Sequence, residues 1–292
     1  VLTEGQPEDL DETRGLISKM KDAFTFADDQ IKIILMRTRG DQTVSIRQVR
    51  GILGRPVFVS LPHASELRSE ARSLGSKPHV VTHPDSAYSF VVRFMARDLA
   101  GRLTGIALGS GAAHGFAHIG VLKVLEEARI PVDMVAGSSM GALLGALWAA
   151  GRSAQELEDI ALALDKKSAF FNIIGIDDFS IAHQGFFKGR QVMRYLRGLL
   201  GTKTFEDLRC RLRVVATNLF TSEAVVFDEG DVADAVRASI SIPGIFRPHR
   251  INGKVLIDGG VVDPLPVDVL ARQGVRKIIA VNVLSGPSDI ME

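Results

Sequence analysis

The stretch VDMVAGSSMGALLGALWAA, residues 132–150, decides the fold of this chain. Its first five residues are largely apolar and predict a strand, and the small apolar residues from Met140 onward predict a helix. Between them lies Gly137-Ser138-Ser139-Met140-Gly141, a G-x-S-x-G pattern. Such a pentapeptide turns sharply from strand to helix and exposes its central serine at the positive end of the helix. We therefore expect Ser139 to be a nucleophile at the edge of an α/β sheet.

The pentapeptide also has a simpler interpretation, because so short a pattern arises by chance in a glycine-rich chain. Gly137 and Gly141 could serve only to let a tight turn pack closely. The strand before the turn and the helix after it favour the nucleophile. Ser138 is a second hydroxyl in the turn, but Ser139 holds the central position.

Strand-like and helix-like segments alternate on both sides of this turn. Beyond the first stretch, we expect strands at Ile106–Leu108, Leu212–Thr217, Ala224–Phe227, Val255–Ile257 and Lys277–Val283, and helices after Gly115, at Gly189–Leu200 and at Val232–Ser239. This alternation predicts an α/β domain over residues 101–292, with a largely parallel sheet that helices cover on both faces.

Residues 1–100 form a separate α/β flanking region, to which the sequence assigns no role. The polar, acidic residues of Thr3–Thr13 predict a frayed start. Apolar spacing predicts strands at Pro56–Leu61 and His79–Thr82 and a helix at Tyr88–Leu99, and a polar helix is expected at Ser65–Leu74. The chain begins with Val1 rather than methionine and stops soon after a predicted strand, so we expect a fragment of a longer protein.

Composition excludes several classes of protein. The chain of 292 residues is 46% hydrophobic and 24% charged, as in a globular protein, and its net charge of +1 gives no reason to expect nucleic acid as a partner. Cys210 is the single cysteine, so no intramolecular disulfide forms and a reducing, cytoplasmic location is expected. No apolar run approaches the roughly 18–20 residues that cross a bilayer.

A glycine-rich loop, Gly109-Ser110-Gly111-Ala112-Ala113-His114-Gly115, follows the first strand of the predicted sheet. A loop of this kind between a strand and a helix presents several backbone N–H groups, which hold an oxyanion or a phosphate. The dinucleotide pattern G-x-G-x-x-G fails because His114 stands where its last glycine is required, and no G-K-[ST] ending marks a P-loop. Because the loop lies one strand–helix unit before Ser139, we interpret it as an oxyanion hole.

Asp258 is the first candidate for a base beside Ser139. It follows a predicted strand, so its carboxylate would project from the end of the sheet where α/β folds place their sites. Gly259 and Gly260 let the backbone turn and leave space beside the carboxylate. Taken alone, an Asp-Gly pair is equally typical of a type I′ hairpin turn. Asp263 is interpreted as a cap or turn residue.

His249 offers a second interpretation, a Ser–His–Asp triad that recruits one of the aspartates upstream of it. These are Asp228, Asp231 and Asp234. The hydrolase order Ser, Asp/Glu, His would then be kept. However, His249 lies in a basic stretch, Arg247-Pro248-His249-Arg250, where a solvated loop histidine is the expected outcome. The chain has no histidine after Asp258.

Two further features of the sequence could bind ligands. His114 and His118 are four residues apart, but the zincin pattern needs a glutamate after the first histidine, where Gly115 stands, so no metal site is expected. Ala169–Phe187 holds five phenylalanines between basic flanks. This segment is a candidate for covering the site and lying peripherally on a membrane, although ordinary core packing with solvated flanks is slightly favoured.

As an ordered set, these motifs resemble one family. Residues 103–284 resemble the patatin-like phospholipase domain, and residues 115–122, GFAHIGVL, look like its bacterial and neuropathy-target-esterase branch. The resemblance rests on the serine turn, on residues 238–243, ASISIP, and on residues 256–266, LIDGGVVDPLP. It implies a three-layer fold in which a central, mostly parallel sheet lies between helices.

The resemblance also implies a mechanism. A serine lipid acyl hydrolase of phospholipase A or lysophospholipase type would use Ser139 as nucleophile and Asp258 as general base. It would act on phospholipid or lysophospholipid esters and need no cofactor. The N–H groups of Gly111 and Ala112 would form the oxyanion hole, with that of Met140 as a further candidate.

The glycine loop departs from the family pattern, G-G-G-x-R-G, at three positions: Ser110, Ala112 and His114. An alanine keeps the backbone donors in place only where φ is negative. A catalytically weak or silent lipid-binding member of the same fold is therefore an alternative. The sequence does not fix the oligomeric state.

Overall fold

The computed structural model describes residues 1–4, 6–24, 30–36, 45–61, 78–84, 86–165 and 189–284. Its contacts divide the chain into two compact units, Val1–Leu99 and Ala100–Glu292. Within the described ranges, none of the helices is both long and apolar enough to cross a membrane. The predicted helix at 65–74 and the phenylalanine-rich segment 169–187 lie outside the described residues.

The first unit is built on a small parallel sheet of order β1-β2-β3. Its elements are β1 (Leu2–Thr3), α1 (Pro7–Ala23), β2 (Ile33–Met36), α2 (Ile46–Leu53), β3 (Val57–Leu61), α3 (His79–Thr82) and α4 (Ala87–Leu99). Helix α2 begins at a capping box formed by Ser45 and Gln48 and ends at Gly54, whose φ of 64° suits glycine. Its core joins α1 and α2 to β2 through Leu10, Ile33 and Val49, among others.

Two expectations for this unit are wrong. Thr3–Thr13 is not frayed, because most of it belongs to α1, which starts at Pro7 and places Leu10 in the core. His79–Thr82 is a short helix rather than a strand. The β-branched run resembles a strand, but Pro78 stands at its N-cap position, and proline directly before or at the start of a helix is well tolerated.

The second unit is built on a seven-stranded sheet of order β10-β4-β5-β6-β9-β8, with β7 paired to β6. Its elements are β4 (Thr104–Leu108), α5 (Ala117–Glu127), β5 (Met134–Ser138), α6 (Met140–Ala149), α7 (Ala154–Asp165), α8 (Arg190–Leu200), β6 (Arg211–Asn218), β7 (Ala224–Phe227), α9 (Val232–Ser239), β8 (His249–Ile251), β9 (Lys254–Asp258), α10 (Val267–Ala271) and β10 (Lys277–Val281), with 3-10 turns at Ala112–Phe116, Phe205–Asp207 and Gly259–Val261. Strands β10, β4, β5 and β6 are parallel neighbours, and β7 and β9 run antiparallel to β6.

Helices cover this sheet on both faces, as expected. A Cβ added to Gly145 of α6 would lie 3.4 Å from Leu108 of β4, whereas one added to Gly105 of β4 would lie 3.0 Å from Leu270 of α10. Residues 105 and 108 of one strand point to opposite faces. Helices α6 and α10 therefore lie on opposite sides of the sheet, which gives three layers.

Strand β6 places β5 and β9 end to end. Both β5 and β7 pair with Val214 and Val215, so they occupy opposite edges of β6. Both β7 and β9 pair with Ala216 and Thr217, so β9 lies on the edge that β5 uses. Ser138, the last residue of β5, pairs with Val215, and Asp258, the last residue of β9, pairs with Ala216. The ends of the two strands meet here.

Candidate active site

Ser139 lies in a strained turn between β5 and α6. Its φ of 54° and ψ of −120° are unfavourable for a residue with a side chain, as the nucleophile turn requires. A Cβ on Gly137 would lie 2.5 Å from the Gly141 carbonyl oxygen, and one on Gly141 would lie 2.1 Å from the Leu108 carbonyl oxygen. Both positions therefore require glycine, because the backbone of α6 lies close against Gly137 and the backbone at the end of β4 lies close against Gly141.

Hydrogen bonds from other elements hold this turn. The N–H of Ser139 donates to Oγ of Ser239, at the end of α9, over 2.9 Å. Oγ of Ser138 donates to the carbonyl oxygen of Asp263 over 2.6 Å. Strained backbone persists only where its surroundings fix it, and these bonds supply that support.

Asp258 stands beside the serine, at the end of β9. Its Oδ2 accepts a hydrogen bond from Oγ of Ser139 over 2.6 Å, and its Oδ1 accepts one from the N–H of Gly260 over 2.7 Å. Ser139 and Asp258 are 5% and 6% exposed. Burial raises the pKa of Asp258 from its ordinary value, against the opposing effect of these two hydrogen bonds. The carboxylate is thus a stronger base than a solvated aspartate.

The backbone around Asp258 is fixed as well. Its N–H donates to the Ser241 carbonyl over 3.0 Å, and its carbonyl accepts from Oγ1 of Thr217 over 2.8 Å. The hairpin interpretation of the Asp-Gly pair is wrong. A type I′ turn needs positive φ at both central residues, whereas Asp258 has φ of −50° and Gly259 has no positive φ and begins a 3-10 turn.

The glycine loop presents free backbone donors near the serine turn. The N–H of Gly109 donates to Val281 over 3.1 Å and that of Ser110 to Pro264 over 2.8 Å, so both are engaged. Within the described part of the chain, the N–H groups of Gly111 and Ala112 have no acceptor. Gly111 and Ala112 are thus the donors that the loop leaves available to a ligand.

Ala112 keeps a backbone conformation that favours glycine. Its φ is 45°, and the residue is exposed. The alanine has therefore not shifted this position into the negative-φ region that alanine prefers. His114 is also exposed, and its N–H donates to the Gly111 carbonyl over 2.9 Å.

The loop, the serine turn and the Asp258 turn touch one another at glycines. A Cβ on Gly115 would lie 2.3 Å from Cγ of Met140, and one on Gly260 would lie 2.6 Å from Oγ of Ser110. The N–H of Met140, in the first turn of α6, has no acceptor among the described residues. This N–H is a third backbone donor, and it belongs to the positive end of that helix.

His118 is a positioning residue that the sequence did not reveal. It is fully buried, and its Nε2 donates to the Gly109 carbonyl over 2.8 Å, because a carbonyl oxygen can only accept. Burial lowers the pKa of His118, so the ring is neutral, and Nδ1 has no partner among the described residues. Instead of binding metal with His114, it anchors the start of the glycine loop. In the described ranges, no cluster of three metal-ligating side chains is present.

Ser239 and Thr217 were also missed as supports of the site. Ser239 lies 100 residues from the serine whose N–H it accepts, so no local pattern links them. The signal available was its place in the ASISIP stretch. For Thr217, the signal was its place at the end of a predicted strand.

His249 makes its contact with Asp234 and not with Ser139 or Asp258. It belongs to strand β8, and its Nε2 is 3.3 Å from Oδ1 of Asp234. Burial, and then the charge of Arg237, lower the pKa of His249. The expectation of a solvated loop histidine is wrong, because its side chain is only 24% exposed. Asn252 and Gly253, with φ of 49° and 78°, form the hairpin turn that makes β8 a strand.

Of the three aspartates proposed for a triad, Asp234 contacts His249, and the other two have other partners. Asp228 lies 3.7 Å from Arg213, and Asp231 caps α9 and pairs with Arg197. Among the described residues, the hydroxyl of Ser139 donates to Asp258. The structure brings Ser139 and Asp258 together and does not bring His249 to either.

Known proteins match the same part of the chain. Over 178 residues it is 38% identical to an uncharacterized NTE family protein of Mycobacterium tuberculosis, which covers 61% of this chain and 48% of that protein. Over 191 residues it is 36% identical to neuropathy target esterase sws of Drosophila melanogaster, which covers 65% of this chain and 13% of that protein. The chain thus spans about half the length of the mycobacterial relative.

A solved structure, VipD from Legionella pneumophila, is similar over 60% of this chain and 48% of its own, with 18% identity and a TM-score of 0.38. The family model described as "Patatin-like phospholipase" matches residues 106–271, more than half of the chain. This match contains the glycine loop, the serine turn and the Asp258 turn. The chain therefore belongs to the patatin-like phospholipase family.

Proposed function

We propose that the chain is a serine lipid acyl hydrolase of phospholipase A or lysophospholipase type. The observation that carries this proposal is the 2.6 Å hydrogen bond from Oγ of Ser139 to Oδ2 of Asp258, between two buried side chains. A serine hydroxyl attacks esters effectively only beside a group that accepts its proton. Membership of the family supports a phospholipid or lysophospholipid ester as the substrate.

In the first half of the reaction, Oγ of Ser139 attacks the ester carbonyl carbon while its proton passes to Oδ2 of Asp258. The carbonyl oxygen becomes an oxyanion. As the tetrahedral intermediate collapses, the bond to the alcohol breaks, and Asp258 returns the proton to the departing alkoxide. The fatty acyl group then remains as an ester on Ser139.

The oxyanion is held by backbone donors for which the described residues provide no acceptor. Gly111, Ala112 and Met140 supply them, because the N–H of Ser139 itself is bound to Ser239. Donors already fixed in place need no reorganisation when charge develops, which makes such holes a large term in acyl transfer. The strained turn at Ser139 and the bond from His118 keep these donors in register.

In the second half, a water molecule takes the place of the alcohol. Asp258 accepts its proton, hydroxide oxygen attacks the acyl carbon, and the fatty acid leaves as Ser139 regains its proton from Asp258. The same carboxylate therefore serves as base and acid in both halves. Its raised pKa suits this double role, since proton transfer is most effective when the pKa approaches the working pH.

The experiment is labelling with a fluorophosphonate probe, followed by mass spectrometry of the modified peptide. We expect wild type to be labelled at Ser139, and Ser139→Ala to be unlabelled and inactive toward a short-chain ester. Asp258→Asn should lower kcat by about 10⁴-fold, as the loss of one member of a catalytic unit does. His249→Ala is the matched control and should keep its turnover.

Two outcomes would favour the alternatives. Loss of activity in His249→Ala, with activity retained in Asp258→Asn, would support a Ser–His–Asp esterase. Binding of lipid vesicles without labelling of Ser139 or ester hydrolysis would support a silent lipid-binding member.

A further inference from the structure

The turn between β6 and β7 rises beyond the candidate active site. Asp258 pairs with Ala216 of β6, and the chain continues past this level through Asn218 to Phe220. Strand β6 ends at Asn218, two residues past Ala216, so the turn that Leu219 and Phe220 begin lies roughly 7 Å or more beyond the level of Asp258. This turn and the neighbouring β8–β9 hairpin, which we together call the rim, lie past the level of Asp258.

This turn is ordered by hydrogen bonds and still exposes apolar side chains. The N–H of Phe220 donates to Oδ1 of Asn218 over 3.1 Å, and the N–H of Leu219 donates to the Val255 carbonyl over 2.9 Å. Phe220 is 78% exposed and Leu219 is 42% exposed. One exposed apolar residue needs no explanation. An aromatic and an aliphatic side chain exposed together on an ordered turn indicate a docking surface only when a second observation supports it.

The second observation is that basic side chains lie at the same level along the strands. Leu219 lies opposite Val255, so Lys254, one residue earlier on β9, is level with Phe220. Arg250 of β8 pairs with Val255 across the second hairpin. Both basic residues are exposed, and Glu223 is the acidic residue of the two turns. The rim thus combines apolar tips with a net positive charge.

We propose that this rim docks on a lipid surface with anionic headgroups. Phe220 and Leu219 enter the boundary between headgroups and acyl chains, while Lys254 and Arg250 contact lipid phosphates. An aromatic ring on a rigid support suits this boundary. The inference rests on the proposed function for its choice of lipid over another partner, and it assigns docking to the described residues 219–254 rather than to 169–187.

Vesicle binding tests this docking separately from catalysis. The full chain carrying Ser139→Ala is sedimented with vesicles of phosphatidylcholine, with and without phosphatidylserine. Adding Phe220→Ala should weaken binding about tenfold, since a buried aromatic side chain contributes this much or more. Val124→Ala, which removes an apolar side chain 59% exposed on α5, is the matched control and should bind like the parent.

Charge is tested in the same background. Lys254→Gln should weaken binding about fivefold on vesicles that contain phosphatidylserine, and leave binding to phosphatidylcholine unchanged. Phe220→Trp should bind like the parent and show blue-shifted emission with vesicles, over the constant signal of Trp148.

The proposal is overturned if the parent does not bind vesicles, if Phe220→Ala binds as tightly as the parent, or if Val124→Ala loses as much. Hydrolysis of a soluble short-chain ester by the chain with Ser139 intact is measured in parallel. If this chain does not hydrolyse the soluble ester, the proposed function is contradicted and the docking result is unaffected.

Discussion

The serine turn and the glycine loop are built alike and supported differently. Each follows one of two neighbouring parallel strands, β5 and β4, and each holds a residue with a side chain at positive φ, 54° at Ser139 and 45° at Ala112. Ser139 is buried, and both its N–H and its Oγ are hydrogen-bonded. Ala112 is exposed, and no described residue accepts its N–H.

This difference shows how strain relates to chemistry in one site. At Ser139 the strained backbone aims the hydroxyl of the proposed nucleophile, and glycine neighbours, Ser239 and Asp258 together hold it there. At Ala112 the same kind of strain, about 1–2 kcal/mol for an L residue, falls on an exposed residue that carries no reactive group. We infer that the loop conformation is fixed by the residues around Ala112, including His118, and that the alanine adapts to it.

Gly141→Ala should break the serine turn and give the largest effect. The new Cβ would lie 2.1 Å from the Leu108 carbonyl oxygen, where the obstacle is backbone and cannot rotate aside. We expect at least about 3 kcal/mol of destabilisation and loss of ester hydrolysis. Thermal unfolding and initial rates on a short-chain ester measure both.

Gly120→Ala is the matched control for that change. Gly120 lies in α5 with open space around its Cβ position, so alanine should stabilise the helix by about 0.5–1 kcal/mol and keep activity. A stable, active Gly141→Ala protein would show that the two strands do not constrain the turn as described.

Ser239→Ala should weaken the support of the serine turn without removing any reacting group. The N–H of Ser139 would lose its acceptor in a buried position, at a cost of about 1–3 kcal/mol. Because the nucleophile would then be misplaced, we expect kcat to fall about 10- to 100-fold with little change in KM. Steady-state kinetics and unfolding are measured together.

Ser153→Ala removes the same kind of bond at a distance from the site. There Oγ accepts the N–H of Glu156 over 3.2 Å at the start of α7. This variant should lose about 1 kcal/mol of stability and keep its kcat. Equal kcat losses in both variants would mean that Ser239 acts only through overall stability.

The sequence predicted most of the sheet because strand and helix each carry their own local pattern. The apolar runs at 132–136 and 212–217 and the small-residue helix after Met140 have the expected types and close bounds. Strand β8 was missed because it has only three residues, although the Asn252-Gly253 turn was a usable signal. Such short elements depend on their pairing partner more than on their own pattern.

Contacts between distant residues were outside the reach of one sequence. Ser239 and His118 act through bonds to residues that the chain brings close only after folding, 100 and 9 positions away. Neither residue type indicates that role by itself, since a buried serine or histidine is common in cores. The backbone conformation of Ala112 was likewise unreadable, because the residues around a loop decide its φ.

The pH dependence of hydrolysis should expose the base that serves the serine turn. Burial raises the pKa of Asp258, and only the ionised carboxylate accepts the proton of Ser139. Activity should therefore fall as pH decreases, with a midpoint above about pH 4, the ordinary aspartate value. The measurement is kcat/KM against pH, which reports the free enzyme.

His249→Ala separates the two candidate bases in that profile. The carboxylate of Asp258 predicts the same midpoint in this variant and in wild type. A shifted or missing midpoint would assign the ionisation to His249 and contradict the dyad.

Ala112→Gly should raise the free energy of unfolding by a small amount, which tests the difference between the two turns. Glycine relieves about 1–2 kcal/mol of strain at φ of 45° but adds about 0.4–1 kcal/mol of freedom to the unfolded chain, so we expect a net gain near 0.5 kcal/mol. Ala113→Gly, one residue further in the same exposed loop and without a positive φ, has no strain to relieve and should lose about 0.5–1 kcal/mol.

The difference in free energy of unfolding between these two variants isolates the strain, because composition and exposure are matched. Equal losses would mean that Ala112 is not strained and that the two turns are supported alike. If stability rises in Ala112→Gly while kcat stays constant, the donors of the loop were already in place. The alanine in place of the family's glycine then affects stability and leaves the proposed oxyanion hole intact.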